Sequence, residues 1–594
     1  MTMFCDASIR ALTSRAIGLV SSVCLVAGAA MAQQAPSGLR EVPRERSVVA
    51  AVDGGRGKFY DIWSMYNLGG NHQNGNSLFY EPLYFYDGLS DKTHAWLAES
   101  FKYSADYKEL TYVLRPGITW SDGKPFTAED VAYTYNSLRD AGGSIPNSKQ
   151  FAQELDQAVA VDARTVTVKF KRPSPKFHDF LTYKGDIGTF IVPKHVFQDQ
   201  KWAEFTNYDP AKGYPVTTSA WRVAYADPTQ RIIDRVRTCE EWWGCRTGFM
   251  PLPQVERFVL LTGLNDAQRA QAMIRNEIDT TRVLNVETLK KILADNPNAI
   301  TWYGKKPPYG MASWWPTSLV LNNKDKHLSN RDVRWAISLF IDRNQTNDVA
   351  FSGAGQPSKL PWPAFAGFKA YDDAIADLLA KYPTDRYDRA RGEALLKSAG
   401  YAKDREGFWA NAGGPITCDI VGSNVFADQG PVLAEQLRQH GIRASYGEPP
   451  NFFERMNSGQ FTCAITGRSG ASGGDPYLTL ALYTTAVEGA SPGAVAHNPN
   501  NFFQYSNAEF DALIDQLGRV GPDDPEKSKR LVRSAMEIWL RDLPDVQLFE
   551  FMHRPVYSTA RWTNWPGEQQ PYMSGLPFMH NGMGVILHSL KASK

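Results

Sequence analysis

The stretch WSDGKPFTAEDVAYTYNSL, residues 120–138, places three carboxylates, Asp122, Glu129 and Asp130, beside a predicted turn and the start of a predicted helix. The letters SDGK are typical of a turn, because Gly accepts positive φ and Asp hydrogen-bonds to its own backbone. Thr127 stands where a helix N-cap is expected, and Asp130 three residues later completes a capping box. Both acids near the helix start also complement the positive end of the helix dipole. The sequence therefore predicts that these acids build the fold, and a catalytic role is the less favoured alternative.

Length and composition indicate a globular protein of several domains. The chain has 594 residues, which suggests roughly two to four domains. Its net charge of +1 argues against nucleic acid or an anionic membrane surface as the main partner. The 16 Trp and 26 Tyr offer many flat aromatic faces, which serve either as core contacts or as stacking platforms in a ligand cleft. The cysteines show no CxxC spacing and no nearby HxxxH, so no metal and no cofactor are expected.

The N-terminus has the pattern of an export signal. Arg10 and Arg15 precede the apolar run AIGLVSSVCLVAGAA, which leads into the letters AMA. This order predicts a signal peptide over residues 1–32, cleaved after Ala32. The run is too short to span a membrane, and the small residue expected before a lipidated cysteine is missing ahead of Cys24. We therefore expect a soluble periplasmic protein.

Four cysteines remain after removal of the signal: Cys239, Cys245, Cys418 and Cys463. Four cysteines allow three connectivities. Cys239 and Cys245 enclose the short loop EEWWG, which one disulfide can close in an oxidising compartment. Cys418 and Cys463 lie in the strand-like runs ITCDIV and FTCAITG, and they are either bonded or buried thiols.

The order of predicted elements indicates an α/β fold. Strand-like runs fill the first half of the mature chain, together with the capped helix described above. Ser329 and Asp332 predict a second capping box that opens the amphipathic helix DVRWAISLFIDR. Beyond it, strands ITCDIVG, IRASYG and FTCAITG alternate with helices GPVLAEQLRQHG and NFFERMNSG, and the run DVQLFEFMHRPVYSTA is again strand-rich. Two α/β lobes with several chain crossings fit this order better than separate domains in a row.

Eight blocks of the sequence, in the expected order, resemble the family 5 extracellular solute-binding proteins, the dipeptide- and oligopeptide-binding subunits of ABC importers. The blocks are EPLYFYD, LAESFKYSADYKELTYVLRPGITWSDGKPFTAEDVAYTYNSL, FIVPKHVF, TTSAWRV, RNEIDTTRVL, LVLNNKDKHLSNRDVRWAISLFIDR, LLKSAGY and YSNAEFDALIDQ. One block alone would be weak, but together they span nearly all of the mature chain.

The resemblance implies an α/β, two-lobed periplasmic-binding-protein fold (type II, cluster C) that closes on a ligand about hinge strands. Lobe 1 would cover residues 33–310, with an extra inserted subdomain at about 75–200. Lobe 2 would cover 311–549, and 550–594 would return to lobe 1. The resemblance further implies a monomer without enzymatic activity, catalytic residues, metal or cofactor. Its partners would be a small-molecule ligand and an ABC permease in the inner membrane.

The loop after FTCAITG departs from the peptide-binding members of the family. Those members place an aspartate there to pair with the α-ammonium of the ligand, whereas this sequence reads GRSGASGGDPYLTL, with Ala471 at that position. A buried ammonium without a counter-charge is strongly disfavoured. The sequence therefore slightly favours an oligosaccharide over a dipeptide or oligopeptide, which remains the alternative.

Candidate ligand contacts follow from the same resemblance, because its oligosaccharide-binding members hold sugar rings on indole faces. We expect stacking on Trp242, Trp243, Trp314 and Trp315 and polar contacts from Arg468 and Asp475. The alternative for the pair in EEWWG is packing alone.

Two other classes of function compete with this interpretation. The letters GASGG, residues 470–474, match the G-x-S-x-G elbow of serine hydrolases between a strand and a helix. No histidine and acid stand in a matching motif, and eight collinear blocks outweigh one pentapeptide, so Ser472 is not expected to be a nucleophile. A chaperone or structural role in the periplasm is the third class, which the sequence does not exclude.

Overall fold

The computed structural model of the protein describes residues 38–52, 58–70, 75–182, 188–467, 474–485, 502–573, 576 and 582–594. The chain up to Glu41 forms one unit and Val42–Lys594 a second, which holds every helix and strand of the described residues. The predicted signal peptide, Arg468, Ala471 and Ser472 lie outside the described residues. None of the helices described is both long enough and apolar enough to cross a membrane.

The strands are β1 (Ser47–Ala51), β2 (Tyr84–Asp87), β3 (Lys92–Ala95), β4 (Ala98–Tyr103), β5 (Glu109–Leu114), β6 (Leu155–Ala160), β7 (Thr165–Phe170), β8 (Trp221–Ala226), β9 (Gln230–Arg235), β10 (Arg257–Leu261), β11 (Thr280–Arg282), β12 (Ala299–Ile300), β13 (Met311–Ala312), β14 (Thr317–Leu321), β15 (Ala402–Lys403), β16 (Trp409–Asn411), β17 (Gly414–Pro415), β18 (Thr417–Val421), β19 (Arg443–Gly447), β20 (Cys463–Gly467), β21 (Asp545–Phe549), β22 (Met552–His553), β23 (Pro555–Ser558), β24 (Trp562–Thr563) and β25 (Lys591–Ala592).

The α-helices are α1 (Ala128–Ala141), α2 (Ser148–Glu154), α3 (His178–Leu181), α4 (Lys194–Phe197), α5 (Trp243–Arg246), α6 (Asp266–Ile274), α7 (Val286–Asp295), α8 (Arg331–Phe340), α9 (Arg343–Phe351), α10 (Lys369–Ala374), α11 (Ala376–Lys381), α12 (Arg389–Ser398), α13 (Gly430–Gln439), α14 (Phe452–Ser458), α15 (Tyr477–Leu480), α16 (Ala508–Gly518), α17 (Pro525–Asp542) and α18 (Met583–Ser589).

Two mixed sheets organise the chain into two lobes, as the sequence predicted. Lobe 1 is built on a seven-stranded sheet with the order β12-β23-β11-β1-β10-β9-β8, in which β1 runs parallel to β10 and β11. Lobe 2 is built on a five-stranded sheet with the order β19-β18-β20-β14-β21, in which β18 runs parallel to β19 and β20. Separate hydrophobic cores fill them, one around Val48 and Phe258 and the other around Leu319 and Ile465.

A four-stranded antiparallel sheet, β4-β5-β7-β6, carries α1 on one face and shares the core of lobe 1. The capping box predicted at its helix is confirmed, because the side chain of Asp130 accepts a hydrogen bond from the backbone of Thr127 at 3.0 Å. Asp130 also accepts from the Trp120 indole at 3.2 Å and from the backbone N–H of Lys194 at 2.9 Å. Its carboxylate is therefore a structural group. The sheet falls within the segment proposed as an insertion, whose boundaries stay a prediction.

The capping box predicted at Ser329 and Asp332 is wrong by one residue. The N-cap of α8 is Asn330, whose side chain accepts from the backbone N–H of Asp332 at 2.9 Å. The helix also ends at Phe340, earlier than predicted, because the side chain of Asp342 caps a new helix, α9. The caps at Asn330 and Asp342 thus produce two helices where the spacing of apolar residues alone predicts one.

The two lobes are joined by a pair of crossing strands. The chain passes from lobe 1 to lobe 2 through β13 and returns through β22, and these strands pair with Met311 opposite His553. Gly310 precedes the first crossing, and a Cβ at this position would lie 2.2 Å from the carbonyl oxygen of His553. The two crossings can approach this closely only because residue 310 has no side chain. Together they form the hinge between the lobes.

Candidate ligand-binding cleft

In both sheets, the carboxyl ends of parallel strands point towards the hinge. In lobe 2, β18 ends at Val421, and the segment 425–429 that follows it lines a pocket. Leu284, two residues beyond the end of β11 in lobe 1, lines the same pocket. Ligands of open α/β sheets bind outside the carboxyl ends of the strands. This pocket, which we call the hinge pocket, is therefore part of the candidate ligand-binding cleft.

The hinge pocket is narrow, and aromatic rings form part of its wall. Its cavity measures about 40 Å³, enough for a group of a few heavy atoms. Four phenylalanines, Phe351, Phe426, Phe549 and Phe551, contribute to its wall. Apolar rings lower the local dielectric constant, which strengthens any polar contact made inside the pocket.

Arg554 is the buried cation of the hinge pocket. Its side chain follows β22 and is 4% exposed. One guanidinium nitrogen donates to the carbonyl of Ala354 at 3.0 Å, and the group lies 6.0 Å from the centre of the Phe351 ring. The Nε atom has no hydrogen-bond partner among the described residues. Burial lowers the pKa of Arg554 to about 10, so the group stays charged at neutral pH.

Glu550 and Gln429 bring two more unsatisfied polar atoms to the same pocket. Glu550 is 7% exposed, and its Oε2 has no partner within the described part of the chain. Burial raises the pKa of Glu550 to about 7, against hydrogen bonds from Ser358 and the backbone of Ala364. Gln429 is 3% exposed, and its Nε2 likewise lacks a described partner. Buried polar atoms are normally satisfied, so three such atoms around one pocket indicate a place for a ligand.

Trp314 and Trp315 lie next to the hinge, directly after β13. Trp315 stacks on Phe551 with 4.1 Å between ring centroids and an angle of 15°. The indole of Trp315 also lies close to Gly467, where a Cβ would be 1.5 Å from it. The indole nitrogen of Trp314 is buried and has no partner among the described atoms. Both side chains are partly exposed, so they remain candidates for contact with a ligand.

Trp242 and Trp243 are placed differently, with 1% and 0% of their surface exposed. The indole of Trp243 donates to Glu81 at 2.9 Å and stacks on Phe249. Neither ring has an open face for a sugar, so this geometry supports packing, the alternative considered for the pair. The neighbouring Cys239 and Cys245 are joined by a disulfide, with 2.03 Å between the sulfur atoms.

Asp475 is engaged by lobe 1. Its carboxylate forms an ion pair with Lys176, from the segment after β7, and accepts a hydrogen bond from the backbone N–H of Tyr477 at 2.8 Å. The first contact bridges the two lobes, and the second holds the turn before α15. The sequence-predicted polar contact at Asp475 is thus occupied by the protein itself in this conformation.

The charged residues of the hinge pocket were missed by the sequence analysis. Glu550 and Arg554 stand in the strand-rich run DVQLFEFMHRPVYSTA, which was predicted only as structure. A signal was available, because an acid and a base separated by four residues inside an otherwise apolar run are costly to bury without a purpose. No feature of the sequence marks Gln429, because its place in the pocket depends on how the end of β18 lies against the hinge.

The lobes, hinge and cleft define a two-lobed binding protein that encloses a solute. The family model of bacterial extracellular solute-binding proteins, family 5 (middle part), matches residues 92–491. The chain therefore belongs to the family 5 bacterial extracellular solute-binding proteins, as its eight sequence blocks predicted. This family groups transport components that bind solutes.

Individual relatives extend the similarity. A Brucella ovis protein, provisionally named ABC transporter peptide-binding protein, is 37% identical over 377 residues, which are 61% of this chain and 62% of that protein. The periplasmic oligopeptide-binding protein OppA of Salmonella typhimurium is 22% identical over 459 residues, which are 73% of this chain and 75% of that protein. The alignment with the Brucella protein thus leaves out more than a third of its length.

A solved structure matches the fold along most of the chain. It is the mannohexaose-bound periplasmic oligopeptide-binding protein of an ABC transporter from Thermotoga maritima, with 24% sequence identity and a TM-score of 0.74. The match covers 93% of this chain and 99% of that chain. This similarity supports the two-lobed fold at the level of backbone.

Proposed function

We propose that this protein is the substrate-binding subunit of an ABC importer of the peptide and oligosaccharide class. It is exported to the periplasm, encloses its ligand between the two lobes and delivers it to a permease in the inner membrane. The supporting observation is the meeting of both carboxyl edges at a hinge pocket that contains unsatisfied polar atoms. A binding site at a hinge couples ligand capture to closure, because the ligand contacts both lobes.

An oligopeptide is the first candidate for the ligand. The sequence slightly favoured an oligosaccharide, because no carboxylate stands at Ala471 to meet an α-ammonium. Glu550 brings a buried carboxyl group to the hinge pocket, and its Oε2 atom has no hydrogen-bond partner among the described residues. The burial of Trp242 and Trp243 also supports packing over stacking for two of the four tryptophans considered. The names of the Brucella and Salmonella relatives add support for a peptide.

An oligosaccharide is the second candidate. Trp314 and Trp315 are partly exposed at the hinge, and indole rings stack well on sugar rings. The Thermotoga relative was solved with mannohexaose, so the shared fold accepts an oligosaccharide in at least that protein.

A thermal-shift comparison decides between the two. A ligand that binds only the folded protein raises its melting temperature. Random pentapeptides and mannohexaose should be tested at equal concentration, with Trp315→Ala as the variant and Trp243→Phe as the buried control. Stabilisation by pentapeptides supports the first candidate. Stabilisation by mannohexaose that Trp315→Ala abolishes supports the second. If neither the pentapeptides nor mannohexaose binds in a saturable way, the proposed function is contradicted.

A further inference from the structure

We propose that the hinge pocket binds a carboxylate group of the ligand, held by the guanidinium of Arg554 with the amide of Gln429 as a second donor. This inference rests on the proposed function and adds a chemical requirement to it. The ligand must carry at least one carboxylate that reaches the hinge, either at the end of a peptide, on an acidic side chain or on a uronic acid.

Arg554 differs from other buried arginines of this protein in its surroundings. Burial also lowers the pKa of Arg222, Arg231, Arg334 and Arg343 to about 10, but nearby acids oppose that shift in each case. Asp542 does so for Arg334, and Asp342 and Asp385 do so for Arg343. For Arg554 burial acts alone, without an opposing acid. A buried cation that lacks a counter-charge is costly, and a ligand anion would supply it.

The hydrogen-bonding capacity of the pocket points to the same kind of ligand. Nε of Arg554 and Nε2 of Gln429 are both donors, and neither has an acceptor among the described residues. Gln429 is also the N-cap residue of α13, a ten-residue helix whose cap makes no side-chain hydrogen bond. The positive end of this helix favours an anion near the same side chain. An acceptor-only group such as a carboxylate matches two unsatisfied donors.

The size of the cavity limits what enters. The cavity of about 40 Å³ exceeds the roughly 10–15 Å³ needed to hold one water molecule, so it accommodates a small polar group. A carboxylate is such a group, whereas a whole amino acid or a sugar ring is much larger. The hinge pocket is therefore a subsite for one terminal group, and the rest of the ligand lies in the wider cleft.

Two acids share the pocket and shape its selectivity. Asp428 is exposed to solvent, which screens its charge. Glu550 is buried, and its raised pKa keeps a large fraction of it neutral near neutral pH. A neutral carboxyl can donate a hydrogen bond to a ligand carboxylate rather than repel it. The pocket thus offers a charged donor, an amide donor and a titratable group.

Matched ligand pairs test the proposal on the full-length wild-type protein. The first pair is a mixture of random pentapeptides with free carboxyl termini and a matched mixture with amidated termini and with Asn and Gln in place of Asp and Glu. The second pair is a mannuronate hexamer and neutral mannohexaose. Isothermal titration or thermal shift gives the affinity of each. We expect the carboxylate member of one pair to bind at least tenfold more tightly, and the pair that responds identifies the source of the carboxylate.

Variants locate the effect. Arg554→Gln should remove the preference for the carboxylate member while the neutral member still binds, and Gln429→Ala should reduce the preference in part. Because Arg554→Gln changes a buried residue, circular dichroism is used to check that the variant folds. The comparison of ligands on the wild-type protein does not depend on this variant. Equal binding of both members to the wild type would overturn the proposal and leave the proposed function intact. Binding of no member of either pair would overturn both.

Discussion

Lys176 and Asp475 form an ion pair that joins lobe 1 to lobe 2, although the two residues lie 299 positions apart in the chain. A second contact of this kind runs from the Tyr107 hydroxyl to the carboxylate of Asp523. Both contacts are made on the side of the molecule that carries the four-stranded sheet. They join the lobes through residues outside the hinge strands, so they stabilise the conformation that the structure shows.

Replacing Asp475 by Asn should favour opening. The amide keeps the oxygen that accepts from the backbone of Tyr477, but it loses the charge that attracts Lys176. The pair is only partly exposed, so we expect a loss on the order of 1–3 kcal/mol in the closed form. Ligand release, measured by stopped-flow fluorescence, should become about fivefold to a hundredfold faster. Glu435→Gln, which breaks an exposed pair within α13, is the control and should leave release unchanged. An unchanged release rate in Asp475→Asn would contradict the prediction.

Gly310→Ala should destabilise the protein at the hinge. The added methyl group would meet the carbonyl oxygen of His553 at 2.2 Å, and backbone atoms cannot swing aside as a flexible side chain does. We expect a decrease of about 1–3 kcal/mol in the free energy of unfolding, measured by urea denaturation. Gly447→Ala is the matched control, because no atom lies within 4 Å of a Cβ at that strand end. Equal urea midpoints for the two variants would contradict the prediction, because they would mean that β13 and β22 can move apart without loss of stability.

Glu550→Gln should change how stability depends on pH. Burial raises the pKa of Glu550 from 4.5 to about 7, so the folded protein prefers the protonated acid. At low pH the side chain of Glu550 is protonated in both the folded and the unfolded state, so it does not change the free energy of unfolding. As the pH rises from the unfolded pKa to the folded pKa, the folded state must hold a buried anion, which costs about 3 kcal/mol once complete.

The variant removes that cost. In urea unfolding, Glu550→Gln should gain stability over the wild type at about pH 8 and lose this gain at about pH 4. Measurements at the two pH values control for any effect of the substitution on packing, because such an effect is the same at both. A difference between variant and wild type that is independent of pH would mean that Glu550 is ionised in both states or in neither.

The two disulfides should differ in what they contribute. Cys418 and Cys463 link the neighbouring strands β18 and β20 across a separation of 45 residues, whereas Cys239 and Cys245 are 6 apart. A longer loop restricts the unfolded chain more, which predicts a loss of about 4 kcal/mol without the first bond and about 2 kcal/mol without the second. Paired Cys→Ala variants and urea denaturation measure both losses. Mass spectrometry of an unreduced digest should show both linked peptides, and free thiols would refute the pairing.

Local chemistry explains which parts of the fold the sequence predicted correctly. Thr127 and Asp130 cap α1 as expected, because the partners of a capping box are three residues apart. The strands around Cys418 and Cys463 were also predicted, since their apolar runs are short and bounded by turns. Where two residues compete for one cap, as Ser329 and Asn330 do, the sequence pattern does not decide, and the prediction at α8 was wrong.

The site was harder to predict because it depends on contacts between distant segments. Trp242 and Trp315 look alike in sequence, but one is enclosed by the core of lobe 1 while the other stacks on Phe551 at the hinge. Arg554 and Gln429 line one pocket only because the chain returns across the hinge beside the end of β18. Such non-local pairing leaves no period or motif in a single sequence, so these residues emerge only from the structure.

The position of β23 between β11 and β12 sets an order for folding. β11 and β12 pair with β23 and not with each other. Each of them therefore has an unpaired edge until the chain has crossed back to lobe 1 and β23 has formed. All five strands of the main sheet of lobe 2 lie in one continuous segment, which can assemble as soon as it has been synthesised. Lobe 1 begins first along the chain but is completed last, by long-range contacts that form slowly. A chain that stops before Pro555 therefore exposes unpaired strand edges, which favours aggregation over a stable half-protein.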